Sequence, residues 1–262
     1  MKFQRLLPKP GATEIGDLLE SLFLERRAPA TRPYTIVNFV ASADGRATIG
    51  GRSGPLGDDG DRALFHCLRQ QVDAVLAGTA TLQAERYGPI LGKPPISSER
   101  RQRRGRRGLS PEPLACIFTR SGAVPADIPL FADPESKIIV FSPADVDLAG
   151  SADLDHAGSA AQVTVVRLDP GELTLTTALR RLRAEHGVRT LLCEGGPTLF
   201  GALLAEGLVD ELFLTIAPKL AGGGRGPTIS TGSELAAPAG LRLEWLLERH
   251  GSLYARYSVA PA

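Results

Sequence analysis

The sequence predicts an α/β fold, a three-layer α/β/α sandwich around a mixed, mostly parallel sheet. Apolar β-branched segments alternate with segments whose apolar residues recur every three or four positions, which is the pattern of strands followed by helices. Several strand segments are apolar without alternation, as expected for central strands covered on both faces. The last part of the chain has strand segments with little helix between them, which predicts antiparallel strands at one end of the sheet.

The predicted elements follow one another as strand, helix, strand, helix after a leading helix. The leading helix is expected over residues 13–27, with Ile15, Leu18, Leu19, Leu22 and Phe23 on one face, and Pro29 and Pro33 end it. The predicted strands are 34–43, 73–77, 114–118, 137–141, 163–167, 190–193, 211–217, 241–247 and 252–259, and the later helices are 62–71, 79–86, 175–186 and 197–206. We expect a lead segment over residues 1–31 and one domain over residues 32–262.

Composition narrows the class of protein. A chain of 262 residues with 43% hydrophobic residues can bury a large core. Its 30 basic and 29 acidic residues leave a net charge of +1, which predicts no general attraction to nucleic acid or to a membrane surface. Cys67, Cys116 and Cys193 are too widely spaced for a disulfide framework or a metal knuckle. Without a signal peptide or a long apolar run, a cytoplasmic protein is expected.

The segment Ser98–Gly108 is rich in arginine and is predicted to be a mobile surface loop. It contains six arginines and two glycines, and prolines flank it. The same arginines motivate an alternative in which the chain is a nucleic-acid-binding module. The near-zero net charge and the absence of aromatic residues among the arginines argue against that alternative.

The stretch LCEGGPTLFG, residues 192–201, has the features of a ligand-binding turn. Glu194 follows a strand, at the sheet edge where open α/β folds bind their ligands. Gly195 and Gly196 permit a close approach, and Pro197 suits the first position of a helix. The start of that helix would present free amides and a positive dipole end to a phosphate. A plain turn from strand to helix remains the alternative.

Other nucleotide and metal motifs are missing from the sequence. No GxxxxGK[ST] run occurs, which excludes a P-loop nucleotidase. The glycine cluster at residues 222–226 is followed by Pro227 and does not open a helix, so it is interpreted as a turn. The four histidines show no HExxH spacing, and no metal site is predicted.

Three ordered motifs carry a resemblance to a known family. They are RPYTIVNFVASADGRATIGGRSGPLG, VLAGTATLQAERYG and LLCEGGPTLFGALLAEGLVDELFLTIAPKLAGG. Over about residues 32–260 the chain resembles the reductase domain of bacterial riboflavin biosynthesis, a pyrimidine reductase family with a dihydrofolate-reductase-like fold. No HxE followed by PCxxC occurs, so the resemblance implies a reductase without the deaminase half.

The resemblance implies a reaction, a cofactor and an assembly. NADPH would reduce 5-amino-6-(5-phosphoribosylamino)uracil, turning its ribosyl group into a ribityl chain, with no metal or flavin. A homodimer is implied, and apolar C-terminal strands such as ELFLTIA could supply its surface. A dihydrofolate or other pterin reductase is the alternative enzyme, because the resembling fold is shared.

The resemblance also implies site residues, position by position. The implied cofactor residues are Val40, Thr81, Glu85, Gly195, Gly196, Pro197, Thr198, Leu199, Phe200 and Gly201, and the implied substrate residues are Ser53, Arg69 and Glu194. Thr119, Arg120 and Ser121 follow a strand where the fold receives the adenosine 2′-phosphate, and the arginine there would favour NADPH over NADH. Family members often carry Asp-Asp-Pro or Asp-Asn-Pro where this chain has Glu85-Arg86-Tyr87, and a tryptophan is missing after Ser53, so the substrate pocket is expected to differ.

Two carboxyl groups are candidate catalytic groups. Asp44, at the mouth of the first strand, could be the proton donor if burial beside a cofactor raised its pKa. A turn-forming aspartate before Gly45 is the alternative for this residue. Glu194 could supply the proton or orient the amine of the substrate.

Overall fold

The computed structural model describes residues 1–146, 159–224 and 226–260. The strands are β1 Lys2–Leu7, β2 Gly11–Glu14, β3 Tyr34–Ser42, β4 Ala74–Gly78, β5 Leu114–Phe118, β6 Lys137–Pro143, β7 Gln162–Leu168, β8 Thr190–Cys193, β9 Glu211–Ala217, β10 Leu241–Arg249 and β11 Ser252–Val259. The helices are α1 Ile15–Glu20, α2 Asp59–Arg69, α3 Thr79–Glu85, α4 Ile96–Arg106, α5 Leu175–His186 and α6 Pro197–Ala205, with 3-10 turns at Leu24–Arg27 and Pro170–Glu172. None of the helices in the described ranges is long and apolar enough to cross a bilayer.

The chain divides into two compact units. Unit 1 comprises residues 1–27, 34–68 and 192–262, and unit 2 comprises residues 28–33 and 69–191. In unit 1 the strand order is β2, β1, β10, β11, β9, β3. Every neighbouring pair in that order is antiparallel except β3 and β9, which are parallel. The carboxyl ends of β3 and β9 therefore lie at the same edge, where ligands bind in such sheets.

Unit 2 is a parallel α/β structure. Strands β4, β5, β6 and β7 follow one another in space as in sequence, and all their pairings are parallel. Strands β4, β5 and β6 are buried on consecutive positions, as in Ala74–Gly78, because both faces of these strands are covered. Strand β7 is the last in the order, and its buried and exposed residues alternate. The predicted α/β class with a mixed, mostly parallel sheet is therefore confirmed, and the predicted C-terminal strands are antiparallel as expected.

The leading helix predicted over residues 13–27 is shorter than predicted and is followed by a 3-10 turn over Leu24–Arg27. The N-terminal segment instead forms β1 and β2, and only Ile15–Glu20 is an α-helix. Strand β1 pairs with β10, with Gln4 opposite Glu248. The predicted apolar positions Ile15 and Leu19 are nevertheless buried. Strand β1 was not predicted, because its pairing partner β10 is so distant in sequence that it leaves no local signal.

The arginine-rich segment is a helix, and not the mobile loop predicted for residues 98–108. Arginine is a good helix former, and α4 covers Ile96–Arg106. Arg100 donates to the Leu91 carbonyl at 2.6 Å, and Arg101 pairs with the buried Glu112 at 2.6 Å. Arg104 is fully buried, so Arg100, Arg101 and Arg104 are all engaged inside unit 2. Arg103 and Arg106 of the same helix are exposed.

Arg104 closes the carboxyl end of helix α2. Its guanidinium donates to the carbonyls of Arg69 and Val72 at 3.0 and 2.7 Å and to that of Ser110 at 2.8 Å. A cation at this position compensates the carbonyls that a helix leaves unbonded at its end. Burial lowers the pKa of Arg104 to about 10, so the group stays charged at neutral pH.

The strand ELFLTIA is not an exposed surface. This strand, β9, lies between β3 and β11, and Leu212 and Phe213 are buried. The dimer surface that the sequence suggested for this strand stays a prediction, because Leu214 and Ile216 are half-buried. Leu241 and Leu243 on β10 are exposed instead.

Candidate active site

The turn between β8 and α6 presents backbone amides at the start of a helix. Gly196 precedes Pro197, the first residue of α6, and no side chain caps this end. The first backbone hydrogen bond of the helix runs from the Phe200 amide to the Gly196 carbonyl at 3.0 Å. The amides of Thr198 and Leu199 therefore come before the first hydrogen bond of the helix and have no acceptor within it. Such amides, with the helix dipole, attract a phosphate group.

Gly195 lets this turn approach strand β3. Its φ angle is +89°, in the region that favours glycine, and the peptide bond to Gly196 is cis. A Cβ atom on Gly195 would lie 3.0 Å from Cζ of Phe39. The Phe39 ring also packs against Phe200 of α6, with 5.2 Å between ring centroids. The close packing against Phe39 therefore leaves little room for a side chain at Gly195. The predicted contact of Gly195 with the cofactor stays a prediction.

Gly201 has a packing requirement of its own. A Cβ atom there would lie 2.0 Å from the carbonyl oxygen of Thr231. The Thr231 amide donates to the Pro197 carbonyl at 3.2 Å, and the hydroxyls of Thr198 and Thr231 are 3.1 Å apart. The segment around Thr231 is thus fixed against the first turns of α6. The predicted contact of Gly201 with the cofactor has no independent support from these contacts.

Two further predicted residues flank the glycine turn. Glu194 follows the last residue of β8 and is buried, with 7% of its surface exposed. Val40 lies in β3, opposite Thr215 of β9, and is buried as well. Each is one residue away from the contact between Phe39 and Gly195. Because successive side chains of a strand point to opposite faces, the Val40 side chain lies on the face opposite Phe39, where it packs with Leu56 and Ala217.

Asp44 stabilises a turn and is not a protonated acid. Its carboxylate accepts hydrogen bonds from the Ser42 hydroxyl at 2.5 Å and from the amides of Ala221 and Gly222, the latter at 2.8 Å. These bonds, that from Ser42 most of all, lower the pKa of Asp44 to about 2. The residue is exposed. The raised pKa predicted for Asp44 is wrong, because each donor favours the charged form, and the turn-forming alternative describes its contacts.

We expect Asp44→Asn to change acid stability more than turnover. A carboxyl whose pKa is lowered on folding stabilises the folded state above its usual pKa of 3.8, and this stabilisation is lost as the pH falls toward about 2. Urea midpoints of wild type and Asp44→Asn should therefore differ at pH 7 and converge below pH 4. The variant should keep most of its turnover at neutral pH. A loss of about a hundredfold would instead restore Asp44 as the acid.

Lys219 and Arg46 were not predicted, and they fix the loops at this edge. The ammonium of Lys219 donates to the carbonyls of Pro55 and Leu56 at 2.6 and 3.2 Å, and so holds the segment that carries Ser53. Arg46 donates to the carbonyls of Gly222 and Gly226 at 3.3 and 2.6 Å. A single basic residue that binds backbone carbonyls leaves no pattern in the sequence. Only the positions of Arg46 and Lys219, just after β3 and β9, could have indicated that they lie near the site.

The remaining predicted cofactor residues lie in unit 2, at the carboxyl ends of two of its strands. Thr81 and Glu85 belong to α3, which begins directly after β4. Thr119 follows β5 and is buried, with its hydroxyl donating to the Ala123 carbonyl at 3.2 Å. Arg120 and Ser121 are exposed, and the Ser121 hydroxyl accepts from the Ala123 amide at 3.4 Å. Arg120 is therefore the member of this trio best placed to meet an anion.

Arg69, a predicted substrate residue, is held inside unit 2. It is 7% exposed and donates to the Ile90 carbonyl at 2.8 Å. Its guanidinium carbon lies 5.3 Å from the ring centroid of Tyr87, within the range of a cation–π interaction. These contacts give Arg69 a fixed orientation, and its predicted contact with a substrate phosphate stays a prediction.

Comparison with known proteins identifies the family of this chain. The family model of the RibD C-terminal domain matches residues 33–252. The chain belongs to the RibD C-terminal domain family. Membership makes it a reductase of the riboflavin-biosynthesis type, an oxidoreductase that uses a nicotinamide cofactor. The resemblance predicted from the three sequence motifs is thereby confirmed.

Two archaeal reductases align with most of this chain. It is 30% identical over 202 residues to the 2,5-diamino-6-ribosylamino-4(3H)-pyrimidinone 5′-phosphate reductase of Archaeoglobus fulgidus, covering 77% of this chain and 87% of that protein. The reductase of the same name from Methanothermobacter thermautotrophicus is 27% identical over 214 residues, covering 81% and 91% of the two chains. The crystal structure of a pyrimidine reductase-like protein from Corynebacterium diphtheriae superimposes with a TM-score of 0.70 at 26% identity, covering 91% and 99%.

Proposed function

We propose that this protein is an NADPH-dependent reductase of a 6-ribosylaminopyrimidine 5′-phosphate in riboflavin biosynthesis. The match of residues 33–252 to the RibD C-terminal domain family is the observation that carries the proposal. The two archaeal relatives are named for a 2,5-diaminopyrimidinone substrate, and the sequence resemblance implied the corresponding uracil. Both compounds carry the same ribosylamino phosphate, which is the part of the substrate that is reduced.

The start of α6 suits the pyrophosphate of a dinucleotide. The amides of Thr198 and Leu199 precede the helical ladder, and no acidic residue lies in the first turn to repel a phosphate. Without side chains, Gly195 and Gly196 leave the backbone open to a ligand. These residues would hold the cofactor, which supplies a hydride when bound.

The edge formed by Val40 and Glu194 suits the reacting end of the substrate. Reduction of the ribosyl group adds a hydride at C1′, breaks the bond from C1′ to the ring oxygen and places a proton on that oxygen. The buried carboxyl of Glu194 is positioned next to the glycine turn and would hold or deliver that proton. Val40 would contact the nicotinamide end of the cofactor through its backbone, as the sequence resemblance implied.

Arg120 would select NADPH over NADH. It is exposed directly after β5, where its guanidinium could pair with a 2′-phosphate dianion. We expect Arg120→Ala to lower kcat/KM with NADPH by about tenfold or more and to leave kcat/KM with NADH nearly unchanged. Steady-state rates with both cofactors measure the ratio. Arg103→Ala, which removes an exposed arginine of α4, is the matched control. An unchanged ratio in Arg120→Ala would exclude this role.

The activity itself is tested by the decrease in NADPH absorbance. The purified chain is mixed with NADPH and, in separate reactions, the 2,5-diaminopyrimidinone phosphate, the aminouracil phosphate and dihydrofolate. Oxidation with either ribosylaminopyrimidine, with the ribityl product identified by mass spectrometry, supports the proposal. Oxidation with dihydrofolate alone would assign the chain to the pterin reductase alternative.

A further inference from the structure

One loop of unit 1 carries the predicted substrate residue Ser53 and packs near the ends of β3 and β9. We call residues 53–58, which lead into α2, the Ser53 loop. The Leu56 amide donates to the Ser53 carbonyl at 2.9 Å, which closes a tight turn. Leu56 is 1% exposed and packs with Val40 of β3 and with Ala217, the last residue of β9. The side chain of Leu56 therefore fixes the middle of the loop on the sheet.

Lys219 binds the same loop from the end of β9. Its ammonium donates to the carbonyls of Pro55 and Leu56 at 2.6 and 3.2 Å. Pro55 has no N–H, so its carbonyl is the one backbone group through which a hydrogen bond can hold this residue. The main chain of Lys219 is itself fixed, because the Ala43 amide donates to the Lys219 carbonyl at 2.9 Å. Lys219 therefore connects the Ser53 loop with the ends of both strands.

The far end of the Ser53 loop has a separate anchor. Asp58 precedes α2, and its carboxylate accepts from the Asp61 amide at 2.8 Å, as a residue before a helix commonly does. The same carboxylate accepts from the hydroxyls of Tyr254 and Ser252 at 2.7 and 2.8 Å. These bonds fix the start of α2 to β11 without involving the lysine. Loss of the lysine side chain should therefore loosen the loop itself and leave α2 in place.

The bonds of Lys219 are expected to order the loop more than they stabilise the fold. Lys219 is exposed, so water can solvate its ammonium in place of the two carbonyls. A lysine held in one conformation also loses more side-chain entropy than most residues. A binding loop that is already ordered loses less entropy when a ligand arrives, and this raises the affinity for the ligand.

We propose that Lys219 is a positioning residue, which keeps the Ser53 loop in the conformation that binds the ribosylaminopyrimidine phosphate. The inference rests on the proposed function and on the predicted contact of Ser53 with the substrate. Lys219 then affects the affinity for the substrate, and not the hydride or proton transfer. The proposed pyrophosphate site at the start of α6 lies in a different segment, so the affinity for NADPH should stay unchanged.

Hydrogen exchange followed by mass spectrometry tests the order of the loop without any substrate. In Lys219→Met, peptides that contain the Ser53 loop should exchange about tenfold faster than in wild type, whereas peptides of β11 should exchange at the wild-type rate. Lys219→Arg, whose guanidinium can donate to both carbonyls, should exchange like wild type. Lys2→Met is the matched control, because Lys2 is an exposed lysine of β1 in the same unit. Exchange of the loop at the wild-type rate in Lys219→Met would overturn the inference.

Steady-state kinetics with the better of the two pyrimidine phosphates tests the effect on the substrate. Lys219→Met should raise KM by about tenfold, roughly the cost of ordering one backbone residue, and leave kcat nearly unchanged. Lys219→Arg should restore most of the affinity, and Lys2→Met should behave as wild type. An unchanged KM in Lys219→Met would show that the order of the loop does not affect binding. An equal loss of kcat and kcat/KM would give Lys219 a part in the chemical step. Either result contradicts the proposed role.

A substrate without its 5′-phosphate distinguishes positioning from direct contact. If Lys219 orders the loop, Lys219→Met should lower kcat/KM by the same factor with and without the phosphate. A loss confined to the phosphorylated substrate would mean that the ammonium binds the phosphate itself, and the inference would be wrong. If wild type reduces neither pyrimidine, the proposed function fails and the role in substrate binding with it, while hydrogen exchange still decides whether Lys219 orders the loop. Should Lys219→Met fail to fold, Lys219→Gln, with a shorter and uncharged side chain, takes its place in each measurement.

Discussion

Glu194→Gln is expected to lower kcat by about 10²–10⁴-fold, the range that general acid–base groups contribute. Glutamine keeps the size of the side chain and its hydrogen-bonding capacity, but it cannot carry and release a proton. Glu194 is buried at the end of β8, beside the turn that leads to α6. With Asp44 ionised in its turn, Glu194 is the candidate acid that remains at this edge.

Single-turnover rates and cofactor binding separate the chemical step from structural damage. The dissociation constant of NADPH, measured by fluorescence titration, should stay within a few-fold of wild type in Glu194→Gln. Asp44→Asn is the matched control, because it removes a carboxylate at the same edge of unit 1 without touching the proposed proton. Equal turnover in Glu194→Gln and wild type would show that the proton comes from another group.

The sequence predicted the regular elements of both units with few errors. Leu114–Phe118, Thr190–Cys193, Glu211–Ala217, Ser252–Val259 and Leu175–His186 begin and end where they were predicted. Runs of consecutive apolar residues mark strands covered on both faces, and Gly187 after the last of these segments marks the end of a helix. Local sequence patterns are therefore enough to predict an element when its burial and the residues at its ends determine where it begins and ends.

Elements that depend on distant partners were not predictable in this way. The strand Lys2–Leu7 contains two basic residues and a glutamine, and it forms because β10 offers an unpaired edge. In α4 the polar composition suggested solvent exposure, yet the aliphatic stem of Arg104 is buried and its guanidinium binds three carbonyls. Composition indicates how polar a segment is, but not whether carbonyl groups elsewhere will bind it.

Site residues were predictable where backbone chemistry left a signature. Two glycines and Pro197 indicated the uncapped start of α6, which the structure has. The lowered pKa of Asp44 was only partly predictable. Its main donor, Ser42, is two residues away, but the donors Ala221 and Gly222 are far away in sequence. The burial of Asp61 was not predictable, because an acidic residue in the first turn of a helix normally stabilises the helix dipole at the surface. Only the fold shows that this side chain points inward.

The buried ion pair between Glu211 and Arg256 is expected to give the largest loss of stability. Glu211 is 0% exposed and Arg256 4% exposed, with Arg256 Nε 2.8 Å from Oε2 of Glu211 and a second contact between Nη2 and Oε1. The Tyr34 hydroxyl donates to Oε1 at 2.8 Å, and Arg27 lies 3.1 Å from the same oxygen. Burial, followed by the charge of Glu211, raises the pKa of Tyr34, which therefore remains a donor at neutral pH.

Arg256→Met is expected to lower the free energy of unfolding by about 3–5 kcal/mol, because removing one partner leaves a buried charge without its main compensation. Urea denaturation followed by tryptophan fluorescence measures the change, since Trp245 lies on the neighbouring strand β10.

Arg242→Met removes an exposed arginine of β10 that pairs with Glu244, and it should cost less than about 1 kcal/mol. The double variant Glu211→Met with Arg256→Met should recover much of the loss, because two apolar side chains need no countercharge. If the double variant were as unstable as Arg256→Met, packing of the arginine stem, and not the unpaired carboxylate, would account for the loss.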